Sequence, residues 1–405
     1  MPVLRNISQL ATCPPGNAQQ DAGLISQAAL AWRDGIVRWV GRYCDLPAAF
    51  SSEEVIDCER RLVVPGLVDC HTHLCFGGWR GDEFEARLQG ATYQDIAAAG
   101  GGITRTVAAT RGASIGELQR KATAALDAML RLGVTTVECK SGYGLDEANE
   151  LKQLEVYRRL NGDHPVDLVP TFLGAHVIPP EHRQRPDRYV GMLCETLIPR
   201  VARLGLARFC DVFVEDGAYS VEEARKILRA AQAHGLGLKV HADQLSPGGG
   251  AQLAAEMGAV SAEHLEYVTP EGIVALAASG TVAVSLPLAS LYLGERYLPA
   301  RSLLAAGVPV AVATDFNPGS APSFHLPLAM TLACINQSMT PQEALMGATT
   351  VAARAVSLQE RAGSLLPGYP ADLAIIDAPS LNHWLYHFVP NACVGVLKNG
   401  NWLLT

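Results

Sequence analysis

Val63-Val64-Pro65-Gly66-Leu67-Val68-Asp69-Cys70-His71-Thr72-His73 runs from an apolar strand straight into a pair of histidines. In extended backbone, residues two apart point to the same side, so both imidazoles can reach one metal ion. A His-x-His pair alone also reads as a satisfied polar pair in a loop. Its place directly after a buried strand gives it weight.

Three further strand ends carry ligand-type residues. Lys239-Val240-His241-Ala242-Asp243 places a histidine at the end of an apolar run, and Ser261-Ala262-Glu263-His264 repeats the arrangement. Val310-Ala311-Val312-Ala313-Thr314-Asp315 ends on an aspartate. Each alone has an ordinary structural reading. Four strand ends bearing such residues are hard to attribute to chance.

The apolar runs 62–68, 134–139, 167–174, 209–214, 236–240, 259–262, 281–286 and 308–314 read as strands, with helical stretches between them at 115–132, 146–161, 221–234 and 341–356. Alternation of buried strands with amphipathic helices predicts parallel βαβ units. A doubly wound open sheet is the rival. Polar residues recurring just past strand ends favour an α/β fold of the (β/α)₈ TIM-type barrel, whose strand ends meet at the active-site face.

The ends of the chain have a different texture. Ala29-Leu30-Ala31-Trp32 and Gly35-Ile36-Val37-Arg38-Trp39-Val40 read as strands joined by a tight turn at Arg33-Asp34-Gly35. Ala371 to Asp377 and Cys393 to Lys398 read likewise, with Asn399-Gly400 turning into Trp402-Leu403-Leu404. The expectation is a discontinuous β-sandwich domain from residues 1–62 and 363–405, with a metal-dependent hydrolase barrel over 63–362.

Length and charge agree. A barrel of roughly 250 residues plus a smaller domain fits the chain's 405 residues. A formal net charge of −8 with no clustered Lys/Arg argues against a nucleic-acid partner, and no basic amphipathic anchor or membrane-length apolar run is present. A small-molecule substrate is expected. The ten cysteines form no C-x-x-C pair, and Met1 to Arg5 lack a signal-peptide apolar core, so a reduced cytoplasmic protein is expected.

His71, His73, His241 and Asp315 offer three imidazoles and one carboxylate. Such ligation suits zinc, and also ferrous iron or manganese, with a water kept at an open position. The metal lowers that water's pKa and polarises a scissile carbonyl, and Asp315 can accept the proton as the water attacks. His264 reads as an orienting or electrophilic group, or as a ligand of a second site. Lys140, in Glu138-Cys139-Lys140-Ser141-Gly142-Tyr143-Gly144, reads either as a carboxylated bridge between two metals or as a lysine paired with a neighbouring carboxylate. Tyr143, between glycines, is placed to present its hydroxyl to a ligand. Arg80, in Gly77-Gly78-Trp79-Arg80-Gly81, is either solvated or a bidentate fork for a substrate carboxylate. The glycine triplets at 100–102 and 248–250 lack the ending of a phosphate loop.

At this point the chain resembles the amidohydrolase superfamily and, within it, the imidazolonepropionase family. The resemblance covers nearly the whole length. It rests on Asp69-Cys70-His71-Thr72-His73, Phe84-Glu85-Ala86-Arg87-Leu88-Gln89-Gly90-Ala91, Gly100-Gly101-Gly102-Ile103 and the segment from Glu138 to Gly144. Gly174-Ala175-His176, His241-Ala242-Asp243-Gln244 and Thr314-Asp315-Phe316-Asn317-Pro318-Gly319-Ser320 complete it.

The resemblance implies ring opening of 4-imidazolone-5-propanoate to N-formimidoyl-L-glutamate in histidine breakdown, by metal-bound hydroxide attacking the cyclic amide. It implies one metal ion, zinc or iron, on His71, His73, His241 and Asp315. Substrate contacts are implied for Arg80, Tyr143, His176, Gln244, Asn317, Gly319 and Ser320, and His264 matches a histidine close to the metal-bound water. A homodimer is also implied. Gln244 stands where some relatives carry Glu, and an amide cannot act as a base. Proton transfer is therefore expected from Asp315 assisted by His264. Ser320 stands where Thr is common and keeps the hydroxyl.

Two other functions fit parts of this pattern. Deamination of a heterocyclic amine would use the same barrel, but a carboxylate-binding Arg80 argues against a neutral nucleobase. A silent scaffold would have lost metal-ligand residues, and here the set is intact.

Overall fold

A computed structural model describes residues 2–50, 54–91 and 100–404. The chain opens with β1 (Val3–Ala11), β2 (Leu24–Arg33), β3 (Ile36–Arg42), β4 (Val55–Asp57) and β5 (Leu62–Pro65). Asp34 and Gly35, at φ 54° and 74°, make the expected two-residue turn between β2 and β3.

The second sheet then begins with β6 (Leu67–Asp69), β7 (Val134–Lys140), β8 (Asp167–Ala175) and β9 (Phe209–Val214). It continues with β10 (Gly237–Ala242), β11 (Ser261–His264), β12 (Val282–Ser285) and β13 (Val310–Val312). These eight lie in sequential order, each parallel to the next, with helices on the connections. All seven residues of β7 are buried, as expected where both faces of a strand are covered.

The chain returns through β14 (Leu373–Ile376), β15 (Cys393–Lys398) and β16 (Asn401–Leu404). β14 runs antiparallel to β5, giving a first sheet ordered β16-β15-β14-β5-β1-β2-β3, with β4 beside β1. This sheet curls over a core of its own built from Leu4, Ile7, Leu30, Val63, Leu373 and Leu397. The two ends of the chain thus form a β-sandwich flanking a (β/α)₈ barrel. Among the described residues, no helix is long and apolar enough to cross a membrane.

Two details differ from expectation. Residues 62–68, read as one strand, are two, because the chain leaves the first sheet at Gly66. A Cβ there would lie 2.3 Å from Thr135 Oγ1, so only glycine lets the chain cross this close to β7. The stretch 341–356 is likewise two helices, Pro341–Gly347 and Thr350–Ala355. Thr349 leaves the helical region (φ −132°, ψ −100°) while its hydroxyl bonds Leu345 O at 2.7 Å.

The barrel closes in an instructive way. β13 and β6 share no ladder within their strands. Closure comes just beyond them, through a parallel bridge between Thr72 and Phe316. Asp315 N–H donates to His71 O at 3.0 Å and His73 N–H to Phe316 O at 2.9 Å. Buried Asp69 accepts from the Thr314 amide at 3.1 Å and its hydroxyl at 2.6 Å. The segments that bear the chemistry are therefore also the seam of the barrel.

Candidate metal centre

At the C-terminal rim, His71 and His73 follow β6, His241 lies in β10, His264 ends β11, and Asp315 follows β13. All five are buried. The ring centroids of His71 and His241 lie 4.6 Å apart, those of His71 and His73 5.4 Å, and those of His241 and His264 5.5 Å. Asp315 and His264 hold φ at 56° and 73°, a costly conformation for non-glycine residues that recurs at functional sites.

Asp315 Oδ1 lies 3.3 Å from His71 Nε2 and 3.4 Å from His73 Nε2. That spacing has a simple meaning. A tetrahedral ion with ligands at about 2.0–2.1 Å has ligand–ligand edges of about 3.3 Å. Nitrogen atoms of His71, His241 and His264 also converge within 4.8 Å of one another. The Nε2 atoms of His71 and His241 are buried without a hydrogen-bond partner among the described residues. Buried lone pairs left in that state are costly, and a cation would satisfy them.

Protonation states fit ligation. Burial, then the nearby Lys140 charge, holds His71 well below the ordinary histidine value, and burial likewise lowers His73. For Asp315 burial acts the other way, but contacts with His71 and His73 outweigh it and leave the carboxyl well below its usual range. Neutral imidazoles and an ionised carboxylate are what a metal requires. His264 differs. Burial would depress it, but Glu266, 3.6 Å from its Nδ1, outweighs burial and raises it.

Around this cluster stand the expected substrate residues. The His176 ring stacks on His73 with centroids 5.1 Å apart, its Nδ1 lying 3.0 Å from Gly142 O. The Tyr143 ring lies 5.7 Å from His73 and 5.4 Å from His176. Asn317 braces the turn after Asp315: its Oδ1 accepts from the amides of Gly319 and Ser320 at 2.7 and 2.8 Å, and its Nδ2 donates to Ser320 Oγ at 2.9 Å. Ser320 Oγ in turn donates to Asp315 Oδ2 at 3.3 Å. Arg80 packs against this turn, where a Cβ on Gly319 would meet its Nη1 at 2.4 Å. Gln244 is half-buried on the loop after β10, and among the described residues no hydrogen bond joins it to the cluster.

Lys140 is buried between Glu138 and Asp211, its Nζ 2.8 Å from each. Burial opposes its charge, but those carboxylates outweigh burial and raise its pKa. These two contacts are those of the paired reading of this lysine.

Several residues escaped the sequence reading. Asp211 also lies 3.0 Å from His241 Nδ1. Its only sequence signal is a charge inside an apolar run, Phe209-Cys210-Asp211-Val212-Phe213. Glu150 accepts from the amides of Gly142, Gly144 and Leu145, and Gln153 from that of Tyr143, so the helix Glu147–Asp163 cradles the tyrosine loop. Here the signal is two polar residues on a helix's buried face beside Leu154 and Tyr157.

Comparison with known proteins identifies the family. The amidohydrolase family matches residues 62–403. Imidazolonepropionase of Symbiobacterium thermophilum is 48% identical over 394 residues, covering 96% of this chain and 93% of that protein. Its counterpart in Geobacillus kaustophilus is 47% identical over 384 residues, covering 94% and 91%. Among solved structures, 5-methylcytosine deaminase from Klebsiella pneumoniae matches with a TM-score of 0.77 at 19% identity, over 100% of this chain and 97% of that one. Atrazine chlorohydrolase from Arthrobacter aurescens matches with a TM-score of 0.73 at 18% identity, over 100% and 95%. These last two likenesses concern the fold. The chain belongs to the amidohydrolase family and, within it, to the imidazolonepropionases.

Proposed function

We propose that the rim cluster hydrolyses 4-imidazolone-5-propanoate to N-formimidoyl-L-glutamate, a step of histidine breakdown. His71, His73, His241 and Asp315 would hold one metal ion, zinc or iron. The observation that carries this assignment is the single carboxylate oxygen facing two imidazole nitrogens at 3.3 and 3.4 Å. When bound, the metal supplies Lewis acidity that activates water and polarises the ring carbonyl.

The chain's own groups do the rest. Arg80 binds the propanoate carboxylate, and Tyr143 and His176 orient the ring, with Gln244 and the Asn317–Ser320 turn as further contacts. Asp315 turns Oδ1 to the histidines and Oδ2 to Ser320. We assign it the proton of the attacking water. As water oxygen bonds to the ring carbonyl carbon, the C–N bond breaks, and Asp315 returns the proton to the departing nitrogen, which leaves in an amidine. His264, raised by Glu266, donates to the developing oxyanion. Gln244 is an amide and takes no part in proton transfer.

The same proposal includes a terminal β unit and a hydrolase barrel as separate domains, supported by the core that the terminal strands keep among themselves around Leu4, Leu30 and Leu373. It also includes a homodimer in the cytoplasm with no nucleic-acid partner, in keeping with ten unpaired cysteines and a net charge of −8.

The test is hydrolysis of freshly generated substrate, followed by its ultraviolet loss, with metal content measured on the same sample. Chelator-sensitive turnover with one metal per chain is expected. A metal-loaded protein that ignores this substrate would discard the assignment and leave another cyclic amide or amidine.

A further inference from the structure

Glu83 is a buried carboxylate, 5% exposed, that no step above uses. It divides its two oxygens. Oε2 accepts from Arg80 Nε at 2.8 Å, and Oε1 accepts from the Gly102 amide at 3.0 Å. Gly102 sits at φ 71°, ψ −156°, a conformation open to glycine and little else, and begins the helix Ile103–Gly112.

That helix touches the same stretch of chain a second time. Gly77 N–H donates to Thr110 Oγ1 at 2.9 Å, and a Cβ on Gly77 would lie 2.4 Å from the Ala109 carbonyl. The helix thus braces the chain just before Arg80 and, through Gly102 and Glu83, the guanidinium itself. Gly319 closes on the other end of the group, where a Cβ would lie 2.4 Å from Nη1 and 3.1 Å from Cζ. With Nε taken by Glu83, the terminal amino groups are those left for a ligand. A guanidinium held at Nε and crowded at Nη1 has a restricted presentation, and that is how a planar fork becomes selective for a carboxylate.

We propose that Glu83 is the positioning residue that fixes Arg80 for the substrate's carboxylate, anchored in turn by the Gly102 amide. This rests on Arg80 being that contact. The alternative role of Glu83 has the opposite sign. If it acted only as a nearby negative charge, removing it would strengthen the pull on an anionic substrate and lower KM. If it holds geometry, removing it frees Arg80 and raises KM.

The experiment compares Glu83→Gln, Arg80→Gln and the double variant on the metal-loaded enzyme with 4-imidazolone-5-propanoate. KM is unaffected by any fraction that fails to fold, so it is the deciding readout. Losing a charge-assisted hydrogen bond predicts a KM rise of roughly ten- to a hundredfold for Glu83→Gln, with kcat within about threefold. The double variant should have a KM within about twofold of Arg80→Gln alone, because the two residues act through one contact. A Glu83→Gln KM that is unchanged or lower, while Arg80→Gln raises it, overturns the inference and leaves the Arg80 reading standing. Effects that multiply in the double variant also overturn it. An unchanged KM in Arg80→Gln overturns the Arg80 reading and this inference with it.

Discussion

Asp211, from the middle of β9, lies 3.0 Å from the Nδ1 of His241 on the neighbouring strand β10, and the same carboxylate oxygen lies 2.8 Å from Lys140. A carboxylate at Nδ1 fixes the imidazole tautomer with its hydrogen there, leaving the Nε2 lone pair for a metal. Burial would raise the Asp211 carboxyl, but His241 and Lys140 outweigh it and hold it well below its usual range. The carboxylate therefore remains charged where it is needed.

Asp211→Asn should accordingly weaken metal binding by roughly 10- to 100-fold, the usual effect of losing such an orienting partner. Competition with a chromogenic chelator measures this directly on the protein, without reference to turnover. Wild-type affinity in the variant would show that His241 needs no orienting carboxylate.

Asp315→Asn removes the proton acceptor while keeping an oxygen that can face the histidines. Turnover should fall by several orders of magnitude, roughly the scale reported for lost acid–base groups compounded with weakened water activation. Metal content must be determined on the same sample. A loss below about tenfold with metal retained would remove Asp315 from the proton-transfer step.

What could be read in advance divides along a physical line. His71, His73, His241 and Asp315 were legible because strand periodicity and strand ends are local properties, and a parallel barrel brings those ends to one rim. Asp211 was not, since its role depends on β9 and β10 being neighbours and on the register that sets Asp211 beside Lys239. Glu83 escaped for a related reason, since folding brings Gly102, 19 residues on, to its carboxylate, whereas Glu150 reaches amides only five to eight residues away, in a loop whose turn back onto the helix the residue types do not announce. Lys140 lay between two readings because its partners include one carboxylate two residues away and another 71 residues on. The sandwich turns at Asp34-Gly35 and Asn399-Gly400 were legible from their residue types, whereas the break at Gly66 depends on the side chain of Thr135 in another strand.

Gly319→Ala tests the packing around Arg80 at Nη1, as Glu83 variants test it at Nε. Gly319 has no positive φ, so alanine is conformationally acceptable there. Its methyl group, however, would fall 2.4 Å from Arg80 Nη1 and 3.3 Å from Asn317 Oδ1. The guanidinium must move, and KM should rise roughly tenfold with a smaller change in kcat. Steady-state kinetics checks this, and a KM within about twofold of the parent would show that Arg80 yields without penalty.

Lys398 joins the sandwich to the barrel. Its Nζ, on β15, lies 2.6 Å from Asp372 in the terminal segment and 2.6 Å from Asp167 at the start of barrel strand β8. Its side chain is 4% exposed, and Asp372 is nearly as buried, whereas Asp167 is open to solvent. Lys398→Met would leave the Asp372 carboxylate buried and unpaired, and should cost about 2–3 kcal/mol, below the full penalty for a wholly buried pair. Burial opposes the lysine's charge, but Asp372 and Asp167 outweigh it, so its pKa is raised in the folded state. A raised lysine contributes stability that is fully present below its unfolded value near 10.5 and is lost as pH climbs through the higher folded value. The gap between parent and variant should therefore be constant across neutral pH and shrink only in strong alkali. Denaturant unfolding at neutral and strongly alkaline pH measures both ends of that range. A gap that closed already near neutrality would mean that Lys398 is not held by these two carboxylates.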